Sequence, residues 1–310
     1  MTGGISRIEI FGQDDQYLCI HGEGQANRGV WLGEGPSGIF GVTPEKQTWT
    51  SGARSIGSKQ KNRKIMHRDM KIPVLVKETT AHTYEENQSY LINAVGFELD
   101  PYDDDAKYAR LAVTTELSGT RYVNMIQFEE PDYDPEHDDI DKQFGAELAL
   151  NVRVGEADWY GDTVVSSFEF GDNGEGEVWV ENPCPRPMLH YWVVTEGKWL
   201  IPDFSWRGKR GARRPGGDDE NRYVTTEVLD VDGVTTIRPA DRSKLMIESE
   251  WETNLLGRQG PQGFYMHEIP PYTPKQALKV YLENCPVGGA RIELHQPRTW
   301  YMPWGGELTP

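Results

Sequence analysis

At 310 residues, the chain is long enough for two domains of ordinary size, each with an apolar core of its own. Its formal net charge of −17 argues against broad, nonspecific affinity for DNA or for anionic lipid. The three cysteines are widely spaced and form no CxxC pair, so the composition supports neither a disulfide framework nor a zinc site.

Glycine and proline are frequent, at 33 and 20 residues, and long apolar runs are few, which predicts many short strands joined by turns. No stretch reaches the roughly 18 consecutive apolar residues of a membrane span. The N-terminus lacks the basic and apolar regions of a secretory signal. We therefore expect synthesis and folding in a reducing cytosol.

The first half of the sequence predicts a β-rich domain with one helix. Alternating apolar residues predict a strand at Ile5–Phe11, whose hairpin partner is 17–20. A capping box, Thr83-x-x-Glu86, precedes an apolar stripe and a closing Gly96, which predicts a helix between them. Further strands are expected at residues 71–76, 111–116, 121–128 and 148–154.

Residues 33–38 (GEGPSG) match the spacing of a dinucleotide-binding loop. In such a loop the last glycine opens a helix, and an acidic residue follows about 20 positions later. Here Gly38 is followed by IFGVTP, a run that starts a helix poorly, and no βαβ unit comes after it. We interpret the segment as a glycine-rich β turn and predict no nucleotide cofactor.

Between residues 54 and 77 the charge of the chain inverts, because eight cations face the single acid Asp69. Two interpretations stay open: a solvated hairpin, or a basic arm that docks on an acidic surface. The chain itself supplies such a surface, and self-complementary charge suits the head-to-tail closure of a ring. Arg63, Lys64 and Arg68 are the candidate interface residues of the second interpretation.

An acidic run follows at residues 129–141 (EEPDYDPEHDDID). Spaced oxygen ligands at Asp132, Asp134 and Asp138 raise calcium binding as a hypothesis. The run lacks the mid-loop glycine and the well-placed closing glutamate of a calcium loop. We therefore predict a solvated acidic loop and no metal site.

A break in the pattern at residues 155–162 marks the expected domain boundary, which divides the chain into domains at 1–160 and 161–310. Short strands after the break predict a β sandwich of two sheets. They are expected at residues 163–170, 177–181, 189–194, 222–229, 234–238, 244–249, 264–268, 277–283 and 290–295. The basic stretch 207–214 (RGKRGARR) is interpreted as an exposed loop, with an anionic partner as the alternative.

Motifs for catalysis are absent from the sequence. The seven histidines form no HExxH or HxH pattern, and there is neither a GxSxG elbow nor a Walker loop. Paired carboxylates are too numerous to single out an acid and a base. We predict no catalytic residue, no cofactor and no enzymatic activity, with a cell-wall hydrolase as an alternative to which no residue can be assigned.

Several short stretches, spread in order along nearly the whole chain, resemble one protein family. They are RGVWLG (28–33), RD (68–69), VTTELSGTRY (113–122), DWY (158–160), NP (182–183), WLIPDFS (199–205), IPPYT (269–273) and PRTWYMPWG (297–305). The chain is similar to the distal tail proteins, also called minor tail proteins, of long-tailed phages that infect actinobacteria. The order and spacing of the stretches, more than any single one, carry this resemblance.

The resemblance implies a mainly β fold. Its first domain would be tail-tube-like, a β sandwich or barrel with one flanking helix that closes six-fold into a ring. Its second domain would be a galectin-like β sandwich splayed outside the ring. Such a ring joins the tail tube to the tip or baseplate complex and surrounds the channel through which the tape-measure protein and then DNA pass.

The implied partners are further copies of the chain in a homo-hexamer, the tail tube protein, the tape-measure protein, the tip hub and other minor tail proteins. The implied location is the tail tip of the virion, after synthesis and assembly in the host cytoplasm, with no membrane partner. A negatively charged lumen would repel phosphate, so that DNA slides without specific binding. The acidic stretches 100–105 and 129–141 are the candidate lumen residues.

The galectin-like resemblance also raises a second function, a carbohydrate-binding module for attachment to the host surface. Trp192, Trp199 and Trp206 are the candidate sugar-stacking residues. The alternative is that these rings pack in the core or between domains, as large aromatic residues usually do.

Overall fold

The computed structural model describes residues 4–52, 56–133, 145–239, 241, 243–259 and 263–307. Strands dominate it, which confirms the prediction of a mainly β protein. The chain divides into two compact units. The first unit comprises Met1–Tyr160 with Tyr301–Gly305, and the second comprises Gly161–Trp300 with Gly306–Pro310. The short segment Tyr301–Gly305 is thus grouped with the first unit, although it lies close to the C-terminus in the sequence.

The first unit is built from antiparallel strands. They are β1 (Ile5–Phe11), β2 (Tyr17–Gly22), β3 (Val30–Leu32), β4 (Glu45–Thr50), β5 (Lys59–Ile65), β6 (Arg68–Lys77), β7 (Ala109–Thr115), β8 (Gly119–Tyr133) and β9 (Gly145–Val154). Seven of them pair in the order β2–β1–β7–β8–β9–β6–β3. Alternate side chains along these strands are buried aliphatic residues, as period-two patterning requires. Strands β4 and β5 pair only with each other in the described part of the chain.

Helix α1 (Tyr84–Val95) confirms the predicted helix. The Thr83 hydroxyl accepts from the Glu86 backbone N–H, and the Glu86 carboxylate accepts from the Thr83 backbone N–H at 2.8 Å. Gly96, with a φ of 61°, ends the helix. The buried face of α1 includes Leu91 and the last residues of the helix, so packing adds to the effect of the cap.

The predicted β turn at residues 33–38 is instead a series of bends with one bridge residue, and no helix follows it before residue 52. Gly38 has a φ of 77°, and a Cβ on it would lie 2.2 Å from the Asp69 carbonyl oxygen. Ser37 forms a β bridge to Lys71 at the same place. Gly38 therefore permits a close approach between two segments of backbone.

Two large sheets of the second unit enclose one apolar core, and the unit also contains a separate two-stranded sheet. Its strands are β10 (Trp159–Phe170, starting two residues before the unit), β11 (Gly174–Asn182), β12 (Tyr191–Val194), β13 (Gly197–Pro202), β14 (Trp206–Arg207), β15 (Arg214–Pro215), β16 (Tyr223–Val228), β17 (Thr235–Ile237), β18 (Ile247–Ser249), β19 (Thr273–Glu283) and β20 (Ala290–Trp300). One sheet has the order β18–β17–β12–β20–β10 and the other β11–β19–β13–β16. A 3₁₀ turn (Asp230–Asp232) and the short helix α2 (Leu255–Arg258) lie outside the sheets. The predicted two-sheet sandwich is confirmed.

One local prediction in this unit is wrong. Residues 264–268 form no strand, because the backbone N–H groups of Met266 and His267 donate to the Asp203 carboxylate and not to a neighbouring strand. Residues 199–202 belong to β13, which pairs with both β16 and β19. In both places the hydrogen-bond partner comes from a distant part of the chain.

Candidate functional site

The hairpin of β4 and β5 carries two of the three candidate interface residues. Arg63 and Lys64 lie on β5, where every residue is exposed, and β4 is exposed except at half-buried Glu45. Arg63 contacts Glu45, with 3.6 Å between Nε and Oε2. A two-stranded ribbon with both faces in solvent buries little apolar surface and is marginal by itself. The structure thus shows an exposed hairpin, which is compatible with both interpretations, and docking by its cations stays a prediction.

Arg68, the third candidate interface residue, is only 2% exposed and does not lie on the surface. Its guanidinium donates to the carbonyl oxygens of Gly38 (2.9 Å), Gly41 (2.8 Å), Ala157 (3.1 Å) and Tyr301 (3.3 Å) and to the Thr43 hydroxyl (3.4 Å). Burial lowers the pKa of this guanidinium, and the nearby Asp158 carboxylate opposes that effect. The assignment of Arg68 to an interface is therefore corrected: it is a structural residue inside the first unit.

A second arginine also donates from a buried position to backbone carbonyl oxygens. Arg121 is fully buried, and its Nη1 donates to the carbonyl oxygens of Met302 (3.0 Å) and Gly305 (2.8 Å). Together, Arg68 and Arg121 bind the backbone of Tyr301–Gly305 within the first unit. The local sequence around either arginine carries no signal for this role, since the acceptors lie far along the chain.

The three candidate sugar-stacking tryptophans differ in burial. Trp192 and Trp199 are fully buried in the core of the second unit, and Trp199 Nε1 donates to the Thr195 carbonyl at 2.8 Å. Their rings offer no face to a ligand, so the sugar-stacking assignment is corrected for these two residues. Trp206 is half-buried and lines a surface cavity.

This cavity, the Trp206 cavity, has a volume of about 250 Å³ and lies in the second unit. It is lined by Pro187, Trp206, Arg207, Gly208, Arg213, His267, Glu268, Pro270 and Pro271. The sequence indicates the basic loop and Trp206 as candidates, but it does not show that they lie close to residues 267–271. Aromatic, basic and proline residues in separate segments of the sequence do not indicate that they line one cavity.

Buried polar contacts hold the wall of the cavity in place. The Asp203 carboxylate accepts from the backbone N–H groups of Met266 and His267, each at 2.9 Å, and lies 3.6 Å from Arg222 Nε. Burial raises the pKa of Asp203, while these hydrogen bonds oppose the rise. The His267 Nε2 lies 2.8 Å from the Asp219 carboxylate. Because its oxygens already accept hydrogen bonds, Asp203 supports the site and is not placed to transfer protons.

The acidic run was the other candidate ligand site. Asp134 and Asp138 lie outside the described residues. Asp132 pairs with Lys71 at 2.5 Å, and this hydrogen bond lowers the pKa of the Asp132 carboxyl. Within the described ranges no group of three or more His, Cys, Asp or Glu side chains is arranged to hold a metal ion. Over the same ranges, none of the helices has the length and apolar character needed to span a membrane.

Comparison with known proteins relates the chain to phage tail components. No protein-family model matches it. It is 23% identical over 326 aligned positions to "Minor tail protein Gp27" of Mycobacterium phage D29, covering 91% of this chain and 94% of that protein. This finding confirms the predicted resemblance to minor tail proteins.

A solved structure agrees in fold. The Dit (gp 19.1) protein of phage SPP1, described as a hub adsorption apparatus of phages that infect Gram-positive hosts, matches with a TM-score of 0.54 at 11% identity. The match covers 94% of this chain and 98% of the Dit chain. A chain of the phage p2 baseplate aligns at 10% identity with a TM-score of 0.48. Over most of its length, the chain is thus similar to a mycobacteriophage minor tail protein, and its fold is that of a phage Dit protein.

Proposed function

We propose that this protein is a structural subunit of a phage tail tip, which closes into a ring, most simply a hexamer, between the tail tube and the tip or baseplate complex. The observation that carries the proposal is the end-to-end similarity to a minor tail protein together with a Dit fold over nearly the whole chain. In this role the chain acts by holding its neighbours and has no enzymatic activity.

The charge distribution supports a ring made of identical subunits. Between Glu45 and Ile65 the chain carries six cations and one acid, whereas the chain as a whole has a net charge of −17. The basic hairpin of one copy therefore meets an acidic surface on the next copy, and repetition of such a head-to-tail contact closes a ring. The hairpin also gains the buried surface that it lacks as an isolated ribbon.

The ring encloses the channel for the tape-measure protein and for DNA. Asp100, Asp103, Asp104 and Asp105 are all exposed in the first unit and supply negative charge for its inner face. A lumen of this sign repels the phosphate backbone, so DNA passes without being bound. Besides further copies of itself, the subunit contacts the tail tube protein, the tip hub and other minor tail proteins at the tail tip of the virion.

Electron microscopy of the purified protein, mixed with its tail tube and hub proteins, tests the proposal. The expected result is a closed ring with a central hole, and the ring should dissociate as salt screens its charged contacts. The double variant Arg63→Glu/Lys64→Glu should abolish rings. A matched control, Lys244→Glu/Lys275→Glu, reverses two exposed cations of the second unit and should leave rings intact. Only monomers of the unmodified protein, with all partners present, would contradict the proposal.

A further inference from the structure

The Trp206 cavity combines an aromatic ring with a rigid apolar wall. Trp206 lies in β14, opposite Pro215 of β15. The Ser205 hydroxyl donates to the Gly216 carbonyl and accepts from the Asp219 N–H, both at 3.1 Å, so the backbone around the ring is held on two sides. Prolines complete the wall, and their rings cannot collapse into the space. The volume of about 250 Å³ is slightly below the roughly 300–1,000 Å³ of drug-sized pockets, which suits a ligand of one ring.

Positive charge lines part of this cavity. The loop 207–214 contains five cations, of which Arg207 and Arg213 line the cavity. No ion pair within 4 Å joins any of the five to an acidic residue in the described part of the chain. The Arg213 Nε is buried without a hydrogen-bond partner among the described residues. In a protein of net charge −17, this group of uncompensated guanidinium donors indicates an anionic ligand.

Contacts of its backbone and of Arg210 order the loop before any ligand arrives. The Gly211 N–H donates to the Tyr272 carbonyl at 3.0 Å, and the Arg210 guanidinium lies 4.4 Å from the centre of the Tyr272 ring. Gly208 has a φ of 118°, and a Cβ on it would lie 2.5 Å from the Ala212 carbonyl oxygen. A preorganised loop binds more tightly because less conformational freedom is lost on binding.

Other residues of the lining supply hydrogen-bonding groups of another kind. Glu268 is exposed and provides acceptor oxygens, and His267 is fixed by Asp219 on its side chain and by Asp203 on its backbone. An acceptor carboxylate beside the guanidinium groups is unfavourable for a bare multivalent anion. It is favourable for a ligand with both hydroxyl donors and one acidic group.

We propose that the Trp206 cavity binds one unit of an acidic polysaccharide, a pyranose ring that carries a carboxylate. The C–H face of the sugar stacks on Trp206, its carboxylate pairs with Arg207 and Arg213, and its hydroxyls donate to Glu268. This site does not depend on ring formation, since all of its residues belong to the second unit of one chain.

Calorimetric titration of the full-length protein tests this assignment with matched ligands. The probes are a galacturonic acid trimer, the same trimer with every carboxyl group methyl-esterified, and inorganic phosphate. The acidic trimer should bind, and the neutral ester should bind at least about tenfold more weakly because it loses the guanidinium contacts. Absence of binding by the acidic trimer overturns the proposal. Phosphate binding as tight as that of the trimer also overturns it, because the site would then recognise a bare anion.

Variants separate stacking from charge in this experiment. Trp206→Ala and Arg213→Gln should each weaken binding of the acidic trimer by about tenfold or more. Trp251→Ala is the control, because Trp251 is 64% exposed and does not line the cavity. Near-ultraviolet circular dichroism and ring formation establish that each variant is folded. Binding that is unchanged by Trp206→Ala in a folded protein contradicts the stacking geometry and with it the proposal.

Discussion

The β4–β5 hairpin and the start of β6 are two basic regions that are only a few residues apart but have opposite roles. Arg63 on the hairpin is exposed and has one ion pair, to Glu45, at 3.6 Å. Arg68 at the start of β6 is buried and donates to four carbonyl oxygens and a hydroxyl. A run of cations therefore does not by itself indicate an interface. What separates the two arginines is whether the fold brings backbone acceptors to the guanidinium.

The same contrast holds for the aromatic residues. Trp49 on the hairpin is 54% exposed, whereas Trp199 in the second unit is fully buried and has its ring N–H hydrogen-bonded. Tryptophan residues thus fall into two sets: buried residues that stabilise the fold, and exposed residues that are accessible to partners. Matched substitutions in the two sets measure this division.

The largest effect is expected at Arg68. Arg68→Met removes the donors of a buried hydrogen-bond network and should lower the free energy of unfolding by about 3–5 kcal/mol. Arg63→Met should change it by less than about 0.5 kcal/mol because the side chain is exposed. Urea denaturation followed by tryptophan fluorescence measures both. Equal effects of the two substitutions would show that Arg68 is not the centre of a buried network.

Trp199→Ala tests the aromatic part of the comparison. Loss of this fully buried ring leaves a cavity in the core of the second unit and should destabilise the protein by about 3 kcal/mol or more. Trp49→Ala, on the exposed hairpin, should cost less than about 0.5 kcal/mol. The same denaturation experiment compares them, and a small loss at Trp199 would contradict its place in the core.

His190 extends the comparison to pH. Burial lowers the pKa of its imidazole to about 4, whereas an unfolded chain has a value of about 6.5. Since the unfolded state binds the proton first as the pH falls, the stability contributed by His190 is present above about pH 6.5 and is lost towards about pH 4. This shift corresponds to about 3 kcal/mol in total, of which about 2 kcal/mol is lost by about pH 5.

Denaturation at about pH 7 and about pH 5 measures this contribution. His190→Gln should reduce the difference in unfolding free energy between the two pH values. His67→Gln is the control, because the His67 side chain is 46% exposed, and it should leave the difference unchanged. An unaltered pH dependence in the His190 variant would mean that this histidine does not titrate in the expected range.

The smallest effect on stability is expected where the effect on assembly is largest. Arg63→Glu/Lys64→Glu should change the free energy of unfolding of the monomer by less than about 0.5 kcal/mol, because both side chains lie in solvent. The same variant should lose the rings of the unmodified protein. If the monomer were instead strongly destabilised, the hairpin would belong with Arg68 in the structural set and the comparison would fail.

Much of the fold follows from local patterns in the sequence. Strand β1, helix α1 with its capping box, and the alternation in β9 were predicted because side-chain period and cap chemistry act over a few residues. The bounds of strands β4 and β5 could not be predicted, since neither has a buried face and therefore neither shows alternation, although a hairpin is one interpretation of this basic segment. The predicted strand at 264–268 failed because its N–H groups are bonded by Asp203, about 60 residues earlier in the chain.

In the candidate site, too, some features follow from local sequence patterns and others depend on contacts between distant residues. Composition, side-chain period and motif order are local or additive properties. They therefore suffice to predict the mainly β class, the two-sheet sandwich, the basic and acidic stretches, and the resemblance to minor tail proteins. Other features depend on the tertiary structure. Arg68 is buried whereas Arg63 is exposed, and Trp192 and Trp199 lie in the core. Trp206 lines one cavity together with Arg213 and Glu268. Burial and convergence depend on contacts between residues far apart in the chain, and these exist only after the strands have paired.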